Sequence, residues 1–151
     1  PRSLNKLFNL NKKIRIFHQA GNKEQELKID FSYKNNPNVT IFNFEPNIEK
    51  YMMLSDLVIT RAGSSTLSEL AFLQIPFIAI PFKASLDNHQ FFNADYFLRM
   101  NTCWLIDQQD LNSEKLFDLV KELMLNKEKL LEKKSKLKEL TKMGVNEIFE
   151  E

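Results

Sequence analysis

The stretch best suited to chemistry runs Asp56-Leu57-Val58-Ile59-Thr60-Arg61-Ala62-Gly63-Ser64-Ser65-Thr66-Leu67-Ser68-Glu69. An apolar run passes through a glycine into hydroxyl residues and then into helical spacing. It reads as a buried strand, a tight turn at Gly63 and a helix beginning near Ser64 or Ser65, where Ser and Thr are good caps. The N–H groups of a helix start, backed by the helix dipole, suit a diphosphate. Gly63 lets such a ligand approach the backbone closely. Glu69 lies just over one turn into the helix, where a carboxylate could accept hydrogen bonds from a ribose diol. The same residues also read as a plain capping box, Ser65-x-x-Ser68 or Thr66-x-x-Glu69, with no ligand.

A second group is Asp87-Asn88-His89-Gln90-Phe91-Phe92-Asn93, after the proline-bounded run Ile75 to Pro81. It places His89, Gln90 and Asn93 at a helix start beyond the carboxyl end of a strand, the edge where open α/β sheets bind ligands. Amide and imidazole groups donate and accept hydrogen bonds without demanding a charged partner, which suits a neutral polyol. A polar helix start without a ligand is the simpler reading. A third group, Phe17-His18-Gln19-Ala20-Gly21, also falls at a strand end. His18 could be a general base. No Ser, Cys or acid nearby in sequence completes a triad, so positioning or loop stabilisation is the expected role. The two histidines lack metalloprotease spacing, and no P-loop or G-x-G-x-x-G motif occurs.

These groups need elements to hold them. Apolar runs predict strands at Ile14 to Phe17, Val39 to Phe44, Leu57 to Thr60, Phe77 to Pro81 and Cys103 to Ile106. They are apolar without strict alternation, as in strands covered on both faces. Helical patterns span Asn47 to Leu54, Ser65 to Leu73, Asn88 to Arg99 and Ser113 to Leu125. Leu67, Leu70, Ala71 and Phe72 are expected along one stripe, and Leu116, Leu119, Val120 and Leu123 along another. The tail from Asn126 to Met143 reads as a lysine-rich amphipathic helix with Leu130, Leu131, Leu137 and Leu140 on one side. A solvated outer helix is the expected role, and an acidic membrane surface is the alternative. Strand and helix alternate, so the fold class is α/β, a doubly wound parallel sheet.

Composition narrows the functions. The 151 residues suffice for one domain, expected to span residues 1–151. Lys+Arg is 21 against 20 Asp+Glu, a net +1 that does not support a nucleic-acid partner. No apolar run is long enough to span a membrane. The single cysteine, Cys103, excludes an internal disulfide framework and a multi-cysteine zinc site, and it fits a reducing, cytoplasmic setting. Cys103 and Trp104 fall in a predicted strand and need no functional role.

Together the three groups resemble the carboxy-terminal domain of the MurG family, bacterial UDP-N-acetylglucosamine transferases of glycosyltransferase family 28. The matching stretches are His18-Gln19-Ala20-Gly21, Thr60 to Glu69, Pro76 to Pro81 and Asp87 to Ala94, and the resemblance covers roughly Ile14 to Met143. R-A-G-S-x-T-x-x-E and D-x-H-Q-x-x-N-A are specific as a pair. The resemblance implies a Rossmann-like domain, the C-terminal half of a GT-B fold, that binds the donor UDP-GlcNAc. It sets Gly63, Ser64, Ser65 and Thr66 against diphosphate and ribose, Glu69 on the ribose hydroxyls, and the backbone around Phe44 and Glu45 along the uracil. His89, Gln90 and Asn93 would meet the GlcNAc hydroxyls or the phosphate nearby. Arg61 would support the nucleotide loop, with His18 and Gln19 as supporting residues.

The resemblance further implies inverting transfer of GlcNAc to lipid I, giving lipid II for peptidoglycan, at the cytoplasmic side of the bacterial inner membrane. The family's G-G-S-Q-G-type loop and its acceptor-binding amino-terminal domain are not in this sequence, which opens at Pro1. The expectation is therefore a fragment or processed chain, with no catalytic residue of its own and inactive alone. Lipid I and the membrane surface would be met chiefly through that other domain. No D-x-D motif is present, so neither a metal nor another cofactor is expected. The rival readings are a free-standing catalytic UDP-GlcNAc transferase subunit similar to the eukaryotic one that needs a partner chain, a related UDP-GlcNAc 2-epimerase, and a non-catalytic nucleotide-sugar-binding module.

Overall fold

The structure, a computed structural model, describes residues 2–83 and 88–149, without the side chains of residues 2, 3 and 145–149. Five strands alternate with helices: β1 (Ile16–Gln19), β2 (Val39–Phe42), β3 (Val58–Thr60), β4 (Phe77–Ala79) and β5 (Cys103–Leu105). The helices are α1 (Arg2–Asn5), α2 (Lys23–Tyr33), α3 (Glu49–Met53), α4 (Ser64–Phe72), α5 (His89–Arg99), α6 (Ser113–Leu125) and α7 (Lys127–Phe149). All strand pairs are parallel, in a two-stranded sheet β1-β2 and a three-stranded sheet β3-β4-β5. The fold class is thus α/β with parallel sheets. The chain divides into two compact units, residues 1–51 with 112–122, and residues 52–111 with 123–151.

In the first unit, Ile16 pairs with Val39 and Gln19 with Phe42. Tyr51 packs on the rings of Phe17 and Phe42 at 4.9 and 4.8 Å. Leu7, Phe8, Tyr33 and Val120 are buried. Two expectations change here. The first strand lies two residues later than the apolar run predicts, which puts His18 and Gln19 inside β1 rather than beyond its end. A shift of two keeps each side chain on its face. Helix α2 has no predicted counterpart, because it carries no apolar stripe: Leu27 and Phe31 are 62% and 83% exposed.

In the second unit β4 is central. Phe77, Ile78 and Ala79 are wholly buried, as an apolar run covered on both faces should be. Leu67, Leu70 and Ala71 of α4, Ala94 and Phe97 of α5, and Leu137 of α7 complete the core. The rings of Phe77 and Phe97 meet edge-on at 5.5 Å. Thr141 Oγ1 donates to Ala71 O at 3.3 Å and so ties α7 to α4. Phe72 and Leu131 depart from their expected stripes, at 72% and 64% exposed. Leu131 precedes the buried Leu137 by six residues, about 240° around a helix at 3.6 residues per turn. Burial pushes the Cys103 thiol up to about 12, which leaves it an inert core group.

Candidate functional site

Because β3, β4 and β5 are parallel, the segments after them emerge at one edge: residues 61–63, 80–83 and 106–109. Helix α4 starts there. Its N-cap is Gly63 with φ −65° and ψ 134°, so the left-handed turn that would require glycine is absent. Gly63 has no side chain with which to cap this end, and Leu67 N–H donates to Gly63 O at 3.0 Å as the first helical bond. The expected Ser or Thr cap is therefore corrected, and with it the capping box. The N–H groups of Ser64, Ser65 and Thr66 lie in the first turn, where a helix has no acceptor of its own to offer. A Cβ on Gly63 would meet nothing nearer than Thr66 Oγ1 at 4.0 Å. Neither packing nor backbone conformation therefore requires a glycine here, and the backbone stands bare at this point.

The electrostatics agree. The first turn of α4 contains no acidic residue. Arg61, just before it, gives Nη1 to Ile80 O at 3.3 Å and to Gln108 Oε1 at 3.0 Å, and its guanidinium lies 5.5 Å from the Phe82 ring centre. These acceptors are neutral, so they position the cation without cancelling its charge. Glu69 is one turn beyond Ser65 and Thr66 and on their face of α4.

The amides of α5 reach back to the same edge. Asn93 Nδ2 donates to Ala62 O at 3.0 Å, and Gln90 Oε1 accepts from Phe82 N–H at 2.9 Å. The expected sugar contacts thus compete with loop-positioning bonds, which still leave Asn93 its amide oxygen and Gln90 its NH2 group. His89 opens α5 in an exposed position, after Asn88 in the left-handed region at φ 56°. Asn tolerates that backbone better than most residues. Asp87 lies outside the described residues. A cavity of about 290 Å³ opens nearby, between Phe82, Lys83, Asn88, Asp107 and Gln109. Gln108 and Phe82 escaped the sequence reading. Applying the carboxyl-edge rule to the strand at Cys103 to Ile106 would have pointed to Gln108.

The remaining candidates belong to the first unit. His18 Nδ1 lies 3.2 Å from Tyr33 Oη, within β1 and α2. Burial lowers the imidazole pKa and raises that of the phenol to about 12, so at neutral pH both are uncharged. Gln19 is exposed. Beyond β2, Gly21 N–H donates to Asn43 O at 3.1 Å, which brings Gly21 beside the segment leading to Phe44 and Glu45. Phe44 is exposed. Glu45 Oε1 accepts from Asn47 N–H at 2.9 Å and Oε2 pairs with Lys50 at 3.3 Å. The Asn47 amide, ahead of Lys50, holds this carboxyl below the usual range.

The fold and site define a class: a parallel-stranded α/β chain with a glycine-led helix starting at the carboxyl edge of its sheet, the edge at which such folds bind ligands. Comparison narrows the class. Residues 2–148 match the glycosyltransferase family 28 C-terminal domain, and the chain belongs to that family. It is 35% identical over 129 residues to a Pelagibacter ubique protein named UDP-N-acetylglucosamine--N-acetylmuramyl-(pentapeptide) pyrophosphoryl-undecaprenol N-acetylglucosamine transferase, covering 85% of this chain and 36% of that one. A Campylobacter fetus protein of the same name is 39% identical over 82% of this chain and 37% of its own. The crystal structure of Acinetobacter baumannii MurG superimposes with a TM-score of 0.78 at 27% identity, over 92% of this chain and 40% of that one. The chain thus spans little more than a third of the length of the curated relatives it matches.

Proposed function

We propose that the chain is the donor-binding part of an inverting N-acetylglucosamine transferase that moves GlcNAc from UDP-GlcNAc to lipid I, forming lipid II for peptidoglycan. The observation that carries this reading is the start of α4. It combines a glycine that the chain does not need, an uncapped first turn and a cation held by neutral acceptors. Family membership and the relatives' names supply the substrate class.

In this reading the N–H groups of Ser64, Ser65 and Thr66 hold the diphosphate, with Arg61 beside them. Glu69 accepts from the ribose hydroxyls. His89, Gln90 and Asn93 face the sugar. The uracil contact of Phe44 and Glu45, and the supporting roles of His18 and Gln19, rest on the family resemblance alone. As the bond to the anomeric carbon breaks, negative charge grows on the departing UDP. Fixed donors and a helix dipole aimed at that charge stabilise the transition state more than the ground state. Acceptor, base and membrane contact at the cytoplasmic face belong to the rest of the full-length enzyme. No helix among the described residues is long and apolar enough to cross a membrane.

Calorimetric titration of the folded chain with UDP-GlcNAc, UDP-glucose and UDP-GalNAc tests the reading. Binding of the first in preference to the others is expected, with no transfer to a lipid I analogue by this chain alone. A folded chain that binds no uridine nucleotide would refute it.

A further inference from the structure

The segment after β4 is gripped from both sides. β4 is the central strand, and Arg61 and Gln108 follow its two neighbours, β3 and β5. Two strand spacings of about 4.8 Å separate those neighbours, so only long side chains can meet across the gap. Arg61 Nη1 and Gln108 Oε1 do meet, at 3.0 Å. The bridge holds the intervening segment at two points: Arg61 Nη1 donates to Ile80 O at 3.3 Å, and Lys83 N–H donates to Gln108 Oε1 at 3.4 Å. A third hold comes from α5, where Gln90 Oε1 takes Phe82 N–H at 2.9 Å. The bridge thus fixes the Arg61 guanidinium beside the proposed diphosphate site, and Gln90 belongs to the proposed sugar site. Gln108 is the residue that joins them.

We propose that Gln108 is a positioning residue for the sugar-binding end of the donor site. It acts through Lys83 N–H rather than by touching the donor, while Arg61 keeps its own hold on Ile80 O. The inference rests on the donor-binding reading above and adds to it a residue that the sequence reading did not single out. Gln108 uses only its side-chain oxygen in this bridge, and both partners there are donors. Glu at this position therefore keeps both bonds, whereas Leu keeps the length and loses them. Asn would fall one methylene short.

The test compares wild type, Gln108→Leu and Gln108→Glu as full 151-residue chains. Two quantities are read: the affinity ratio of UDP-GlcNAc to UDP by calorimetry, and the amide exchange rates of Phe82 and Lys83 by NMR. Gln108→Leu should lower the affinity ratio about tenfold, the size of one or two lost hydrogen bonds, while UDP affinity changes by less than about threefold. Exchange at Lys83 should quicken. Gln108→Glu should return Lys83 exchange and the affinity ratio toward wild type, a rescue that a mere packing role would not show, while its charge, offsetting that of Arg61, weakens both nucleotides together. Wild type binding both nucleotides while Gln108→Leu leaves the ratio unchanged overturns this proposal alone. Faster exchange with an unchanged ratio also overturns it, by making Gln108 a structural tether only. A folded wild type that binds neither nucleotide refutes the donor-binding reading, and this proposal with it.

Discussion

Two helices of this chain follow glycines, and their starts are built in opposite ways. Helix α2 follows Gly21, whose φ of +86° lies where L side chains are strained. Its N-cap Asn22 accepts from Gln25 N–H at 2.8 Å, and Glu24 and Glu26 stand in the first turn. The positive end of that dipole is thus answered from within the chain. Helix α4 follows Gly63 at φ −65°, has no capping side chain and has no acid in its first turn. One glycine serves the backbone, and the other leaves space beside it. A closed helix start stabilises the fold, whereas a glycine-led one forgoes about a few tenths of a kcal/mol of capping and leaves its N–H groups without a bond from the cap.

The contrast can be broken most forcefully at Glu69. Replacement by Ala should weaken UDP binding about ten- to a hundredfold, the worth of a charge-assisted hydrogen bond. Unchanged affinity in a folded variant would remove Glu69 from the site. Next comes an exchange of symptoms between the glycines. Gly63→Ala should cost about tenfold in UDP affinity by displacing the ligand from the backbone, with little change in Tm. Gly21→Ala should leave affinity alone but cost about 1–2 kcal/mol of stability in urea unfolding, because its backbone is left-handed.

Converting the start of α4 toward that of α2 gives a smaller but sharper effect. Ser65→Asp should raise stability by about 0.5 kcal/mol through the dipole. It should at the same time weaken UDP binding about three- to tenfold, because the new carboxylate faces the diphosphate. A variant improved in both respects would show that no anion binds there. The smallest effect concerns His18. Burial lowers its pKa from 6.5, so the unfolded chain binds the proton more readily. Its contribution to stability is complete above the unfolded value and falls away as the pH drops below about 6.5. Thermal unfolding at pH 7.5 and 5.5 should show a smaller acid loss in His18→Gln than in wild type.

The elements of the second unit were legible because their signals were strong. The run from Phe77 is apolar on both faces, and its strand is the most deeply buried element. The Ser113 helix, most of which belongs to the first unit, likewise agrees with its predicted bounds, since its apolar residues recur at 3.6-residue spacing. Helix α2 was illegible by that criterion because tertiary packing leaves most of it in water. Its caps were nevertheless readable: Gly21, then Asn22, then Gln25 three residues on. At Gly63 the composition identified a helix start but not its cap. Serine and glycine both fit the pattern, and only the backbone geometry separates them.

Local composition determined the existence of most strands and helices, the glycine-led helix start and the chemical kinds of side chain gathered near it, because each depends on neighbours a few residues away. What those side chains actually hold depended on tertiary structure. Gln108 meets Arg61 across 47 positions, and Asn93 meets Ala62 across 31. Those encounters follow from the order and register of three parallel strands joined by crossover helices, and residue spacing along the chain carries no record of that register.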